Sequence, residues 1–140
     1  MADAGQRDDL PPPGVEELRA QPHVLIVEDN LLASGALRVL FEQTGHQVRV
    51  AATAEEAMSA VATDAPDLML LDLGLPDGDG FGVLTRLQHE GKVPRVVVAL
   101  TGHDDPAIVR RCHELGCADV LLKPVPTREL LRRAGEWLAR

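Results

Sequence analysis

Residues 68–72 read Leu-Met-Leu-Leu-Asp, four apolar side chains in a row closed by a carboxylate. A run this short and this uniformly apolar suits a strand buried on both faces, the condition found in parallel sheets with helices on either side. Four further runs lie along the chain: Val24-Leu25-Ile26-Val27, a weaker Val48-Arg49-Val50, Val96-Val97-Val98-Ala99-Leu100, and Val120-Leu121-Leu122. Helical patterns fill the intervals. Leu32, Ala36, Val39 and Leu40 repeat at helical spacing and stop before Gly45; Thr53 with Glu56 forms a capping box ahead of Ala57, Met58 and Val61. Val83, Leu84 and Leu87 run to Gly91, and Asp105-Pro106 supplies an N-cap and first-turn proline for Ile108, Val109, Cys112 and Leu115, closed by Gly116. A last helix from about Thr127 places Leu130, Leu131, Ala134 and Leu138 along one stripe. The order βαβαβαβαβα demands parallel pairing with right-handed crossovers, hence an α/β, doubly wound, five-stranded parallel sheet with five helices covering both faces.

Composition narrows the classes of function. A chain of 140 residues, 45% hydrophobic and 26% charged, has material for one compact, soluble domain. Fourteen Lys+Arg against twenty-two Asp+Glu leave a net charge of -8, which repels polyphosphate, and with two Phe, one Trp and no Tyr a base-stacking surface cannot be built. Nucleic acid is therefore not an expected partner. No apolar stretch reaches membrane-spanning length, and the first residues carry acids and prolines where a signal peptide has a basic start and an apolar middle, so an intracellular, cytoplasmic protein is expected. Cys112 and Cys117 match neither a redox pair nor a metal-ligand pattern and read as reduced thiols, Cys112 as a core residue. Residues 1–21, with Pro11-Pro12-Pro13-Gly14, are expected to form a disordered or weakly structured tail, and 22–140 the folded domain.

In doubly wound sheets ligands collect outside the carboxyl ends of the strands. Those positions hold Glu28 and Asp29 after the first run, Asp72 after the third, Thr101 after the fourth and Lys123 after the fifth, whereas the second ends in Ala51-Ala52, as an edge strand away from a site would. Acidic residues after strands are commonly just solvated. Here each follows a run of apolar residues at the same edge, and three carboxylates brought together repel one another until a cation relieves them. Oxygen-only donors favour Mg²⁺ or a similar hard ion over zinc. An ammonium from Lys123 beside that cation completes a pocket suited to a phosphoryl group.

The segments VLIVEDN, LMLLDLGLPDGDGFG, VVVALTG and VLLKP resemble the receiver domain of two-component response regulators, a CheY-like, flavodoxin-like fold, over roughly His23 to Leu138. The resemblance implies that Asp72 is the phosphoacceptor and that Glu28, Asp29, Asp72 and the backbone carbonyl of Gly74 hold Mg²⁺. It implies further that Thr101 contacts the phosphoryl group, that Lys123 pairs with it, and that the peptide before Pro124 is cis. It also implies a histidine kinase or histidine phosphotransfer protein as donor, and it allows a phosphorylation-dependent dimer. One position departs from the family pattern: many receivers carry Tyr or Phe three residues before the lysine, where this chain has Val120, so the aromatic half of the switch is absent. Gly102 leaves room for incoming oxygens.

Other motifs along the chain fit their families less well. Asp77-Gly78-Asp79-Gly80 fails the register of a calcium loop and reads as turn residues after Pro76. An aspartate-nucleophile, Mg²⁺-dependent phosphatase would carry a second Asp where Gly74 stands. The five histidines lack ligand spacing; His103, two residues past Thr101, is the one placed to influence attack of water on a phosphoryl group. With no output domain evident beside the receiver, signalling through contact with an unidentified protein target is expected, from a stand-alone receiver that begins at Met1 rather than one excised from a larger protein. A receiver-like binding module that is never phosphorylated is the alternative.

Overall fold

The computed structural model describes residues 22–139; the expected tail over 1–21 lies outside the described residues, as does Arg140. The order of elements is β1 (His23–Val27), α1 (Leu31–Gln43), β2 (Gln47–Ala51), α2 (Ala54–Thr63), β3 (Leu68–Asp72), α3 (Gly80–His89), β4 (Val96–Thr101), α4 (Pro106–Glu114), β5 (Asp119–Leu122) and α5 (Thr127–Leu138). The five strands form one sheet in the order β2-β1-β3-β4-β5, every pair parallel. The expected doubly wound α/β architecture is the one observed. Asp72 and Thr101 are the last residues of their strands rather than the first beyond them.

Alternation along the strands explains why the central runs are apolar throughout. Leu25, Val27, Met69, Leu71, Val97 and Ala99 point to one face and pack with Ala57, Val61, Val83, Leu84, Leu87 and Cys112 of α2, α3 and α4. Val24, Ile26, Leu68, Leu70, Val96 and Val98 point to the other and pack with Phe41 of α1 and Leu130, Ala134 and Trp137 of α5. A strand covered on both sides has no position at which a polar side chain is tolerated until it leaves the sheet. β1, β3 and β4 are accordingly buried along their whole length, while β2 and β5, at the edges, are only partly covered.

Helix starts follow their signals closely. Asn30, Asp79 and Asp105 cap α1, α3 and α4 through their side chains, and Thr53 Oγ1 accepts from Glu56 N at 3.1 Å at the head of α2. The reciprocal half of that capping box is displaced by one residue, because the Glu56 carboxylate accepts from Ala52 N at 3.2 Å. At the end of α4, Cys117 N donates to Cys112 O at 2.9 Å and Gly116 N to His113 O at 3.1 Å, with Gly116 at φ +102°. This closure turns the chain sharply and keeps both cysteines buried as free thiols. Burial pushes both thiols up, Cys117 to about 12.

Two helix faces differ from expectation. In α1 the residues against the sheet are Ser34, Leu37 and Phe41, and Leu32, Ala36 and Val39 face outward. The helix is apolar around much of its circumference, and one side of the sheet accepts only one stripe; the stripe containing the largest side chain, Phe41, is the one buried. In α5 the buried stripe is Leu130, Ala134 and Trp137, with Leu131 exposed and Leu138 half-buried. There the indole outweighs Leu131 as the i+7 partner of Leu130.

Candidate functional site

Between β1 and β3 the chain reverses direction of travel across the sheet, since β1 connects outward to β2 and β3 then pairs on the opposite side of β1. This switch point opens a crevice at the carboxyl edge. Glu28 and Asp29 follow β1 there and Asp72 ends β3, and one carboxylate oxygen from each lies within 4.8 Å of the others. Glu28 and Asp72 are buried, at 3% and 7% exposure, and Asp29 is exposed. An all-oxygen donor set of this density, two of its three members removed from water, fits a hard divalent cation such as Mg²⁺.

Lys123 brings the balancing charge from the end of β5. Its Nζ lies 2.9 Å from Glu28 Oε1 and 3.2 Å from Asp72 Oδ2. The backbone holds it there, with Lys123 N donating to Thr101 O at 2.8 Å and a cis peptide joining Lys123 to Pro124, as the family resemblance implied. Asp72 Oδ1 accepts from Gly74 N at 3.0 Å, and Glu28 Oε2 from Asn30 N at 3.3 Å.

These contacts separate the two buried carboxyls electrostatically. Burial raises Glu28, and its hydrogen bond with Asp72 raises it further, against the pull of Lys123. Burial would raise Asp72 too, but hydrogen bonds with Glu28, Gly74 N–H and Lys123 outweigh it and hold this carboxyl below its ordinary value. Lys123 is held above its ordinary value: burial opposes its charge, and the two carboxylates more than compensate. Asp72 is therefore held as a carboxylate, with electron density available for attack on an electrophile.

The remaining expected residues fall at the same edge. Thr101 is buried at the end of β4, beside β3, and its Oγ1 accepts from His103 N at 3.1 Å. Gly74 is exposed just beyond Asp72, and a Cβ there would lie 3.8 Å from Asp72 Oδ1, an ordinary contact, so the position suits a residue used through its main chain. Val120 packs against the cluster beneath α2, α3 and α4. Sequence reading did not anticipate the role of Asp77. Its carboxylate leaves the β3–α3 loop and caps α2, accepting from Ala54 N at 2.7 Å and Glu55 N at 3.2 Å. No local pattern signals it, because donor and acceptor are far apart in the chain.

The family description "response regulator receiver domain" matches residues 24–134. The chain belongs to that family. Receiver relatives include the transcriptional regulatory protein AfsQ1 of Streptomyces coelicolor, 34% identical over 119 residues that cover 85% of this chain and 52% of that protein. The KDP operon transcriptional regulatory protein KdpE of Escherichia coli is 37% identical over 111 residues, 79% of this chain and 48% of its own length. This receiver thus spans about half the length of the curated relatives it matches. Among solved structures, a CheY-like response regulator receiver domain protein from Methanospirillum hungatei superimposes with a TM-score of 0.79 at 27% identity, covering 85% of this chain and 94% of that one. Response regulators are signalling proteins of two-component systems, and the receiver is their phosphoacceptor domain. Among the described residues no helix is long and apolar enough to cross a membrane.

Proposed function

We propose that residues 22–140 form a receiver that takes a phosphoryl group onto Asp72 from a phosphohistidine, with Glu28, Asp29, Asp72 and the Gly74 carbonyl holding Mg²⁺. The observation that carries this reading is the buried, ionised Asp72 carboxylate held 3.2 Å from the Lys123 ammonium within a three-carboxylate cluster. An Asp72 oxygen attacks phosphorus in line with the departing imidazole; the P–N bond breaks, its electrons stay with the donor ring, and an aspartyl phosphate forms. Lys123 neutralises charge on the phosphoryl oxygens, and to do so its ammonium turns from Glu28 toward the newcomer. A bound Mg²⁺ supplies further neutralisation of those oxygens. Thr101 exchanges its bond from His103 N for contact with the phosphoryl group, and that difference in contact biases the switch. Water later attacks phosphorus, returning Asp72 and inorganic phosphate. With Val120 in place of an aromatic ring, the output travels through the β4–α4 segment after Thr101 and the surface of β5 to a protein target.

The donor is a histidine kinase or histidine phosphotransfer protein that seats on α1. Leu31 and Leu32, 79% and 88% exposed, stand directly beside Glu28-Asp29-Asn30. Separately, a groove of about 420 Å³ between α1 and the start of α5 is lined by Ala36, Leu37, Leu40, Val125 and Leu130 and reaches Glu28 and Lys123. Apolar surface of this size leading to the phosphoacceptor gives an incoming helix pair a place to bury its own side chains while its histidine reaches Asp72.

Incubation with acetyl phosphate and Mg²⁺, followed by intact mass spectrometry, tests the reading. One added phosphoryl group on the wild-type chain and none on Asp72→Asn is the expected result. A chain that binds Mg²⁺ and takes up no phosphoryl group would be a binding module instead, and steady turnover of a phosphomonoester would make it a phosphatase.

A further inference from the structure

The loop from Leu73 to Asp79 carries Gly74 and is pinned at both ends. At its start Leu73 N donates to Leu100 O at 3.0 Å and Gly74 N to Asp72 Oδ1 at 3.0 Å. At its end Gly80 N donates to Leu73 O at 3.0 Å, a closure so tight that a Cβ on Gly80 would lie 2.7 Å from Leu73 Cδ2 and 3.1 Å from Asp72 O. Leu75 is buried between these points. The outer part of the loop, Pro76 to Asp79, is exposed; Asp79 caps α3, accepting from Gly82 N at 2.9 Å, and Asp77 ties the loop to the head of α2.

Those bonds serve α2 from outside its own stretch of chain. The first turn of a helix presents amide donors with no partner inside the helix, and a local residue ordinarily serves them. Thr53 serves Glu56 N in this way. Ala54 N and Glu55 N are instead served by a carboxylate lying 23 and 22 residues further along, on the segment that follows the phosphoacceptor. The bonds from Ala54 and then Glu55, with Arg86 nearby, hold the Asp77 carboxyl below its ordinary range, so it is anionic at the positive end of the α2 dipole.

We propose that Asp77 is a positioning residue which, by capping α2 from the β3–α3 loop, fixes the backbone at Gly74 and so sets how tightly the acidic cluster binds a divalent cation. The proposal rests on Gly74 as a main-chain ligand. A main-chain oxygen has no rotamers with which to recover a lost position, so its placement depends on what holds the loop. Removing an outer-shell partner of a metal ligand commonly weakens affinity by about tenfold or more.

Thermal midpoints with and without Mg²⁺, and Mg²⁺ titration followed by the Gly74 amide resonance, separate this role from simple helix capping. Thr53→Ala, which removes only the local cap, should lower the midpoint equally in both conditions and leave half-saturation unchanged. Asp77→Ala should raise the Mg²⁺ concentration for half-saturation by roughly tenfold and shrink the midpoint gain that Mg²⁺ gives, with the Ala54 amide losing its downfield shift. Asp77→Asn, retaining one acceptor oxygen, should fall between, and carries the measurement should the alanine variant unfold. An Asp77→Ala chain behaving like Thr53→Ala, with half-saturation within about twofold of wild type, would overturn the proposal. A wild-type chain indifferent to Mg²⁺ would overturn the cation site itself, and the proposal with it.

Discussion

The Lys123 ammonium bridges Glu28 Oε1 and Asp72 Oδ2, at 2.9 and 3.2 Å, so a single cation serves two buried carboxylates. On the proposed function it would compete with Mg²⁺ for the same oxygens and balance the charge of a phosphoryl group on Asp72. Opposite effects follow from its removal. Lys123→Ala should bind Mg²⁺ more tightly than wild type, since one positive charge has left the cluster. It should accept phosphoryl from acetyl phosphate roughly 100-fold more slowly, the usual loss when one charge-stabilising donor is deleted. Calorimetric titration and time-resolved mass spectrometry measure the two, and a variant that loses Mg²⁺ affinity would contradict this account.

Asp29 is the exposed member of the acidic cluster, so its removal tests the cation site with little disturbance of the core. At a Mg²⁺ concentration one hundred times Kd, binding to the folded chain adds about 2.7 kcal/mol of stability. Asp29→Ala should abolish most of that gain in denaturant melts while leaving the Mg²⁺-free midpoint close to wild type. EDTA should likewise suppress phosphoryl uptake by the wild-type chain and have little further effect on the variant.

On α1, Leu32 and Phe41 are both apolar and lie in the same helix, yet one is 88% exposed and the other fully buried. Phe41→Ala should cost about 3–5 kcal/mol in chemical denaturation, through lost burial and the cavity left under α1. Leu32→Ser should change stability by less than about 0.5 kcal/mol. If α1 seats the donor as proposed, phosphoryl transfer from a phosphohistidine protein should slow, and uptake from acetyl phosphate should stay at the wild-type rate. Equal slowing with both donors would place Leu32 in the chemistry rather than the docking.

That helix also shows where sequence and structure part. The strands were legible because burial on both faces leaves an unbroken apolar run, and the site because Glu28, Asp29, Asp72, Thr101 and Lys123 each stand where such a run ends. In α1 Leu32, Val39, Leu37 and Phe41 surround the helix, and periodicity alone does not say which stripe meets the sheet; that depends on which side chains fill the space beside α5. The cap from Asp77 and the Lys123–Glu28 bond join residues 23 and 95 positions apart, contacts that exist only once the sheet has brought the strand ends together.

At the opposite end of the sheet, His23 is buried at the start of β1 with its Nε2 accepting from Arg49 Nε at 2.8 Å. The proton of the neutral ring is thereby placed on Nδ1, which has no hydrogen-bond partner and lies 3.6 Å from Asp64 Oδ2. Burial lowers the His23 pKa, and Arg49 lowers it further, against the opposing pull of Asp64 and Asp67. Protonation would set an Nε2–H against the Arg49 Nε–H and push away a guanidinium that also donates to the carbonyls of Ala60 and Asp64 at the end of α2. The unfolded chain takes up this proton at about pH 6.5, before the folded chain does, so the contribution is whole above that pH and is lost as pH falls toward the lower folded-state value. The thermal midpoint of wild type should decline below about pH 6.5 more steeply than that of His23→Gln, whose amide oxygen can still accept from Arg49 without titrating. Parallel declines would mean that the charged ring is accommodated through Asp64, with Arg49 held by its bonds to α2 alone.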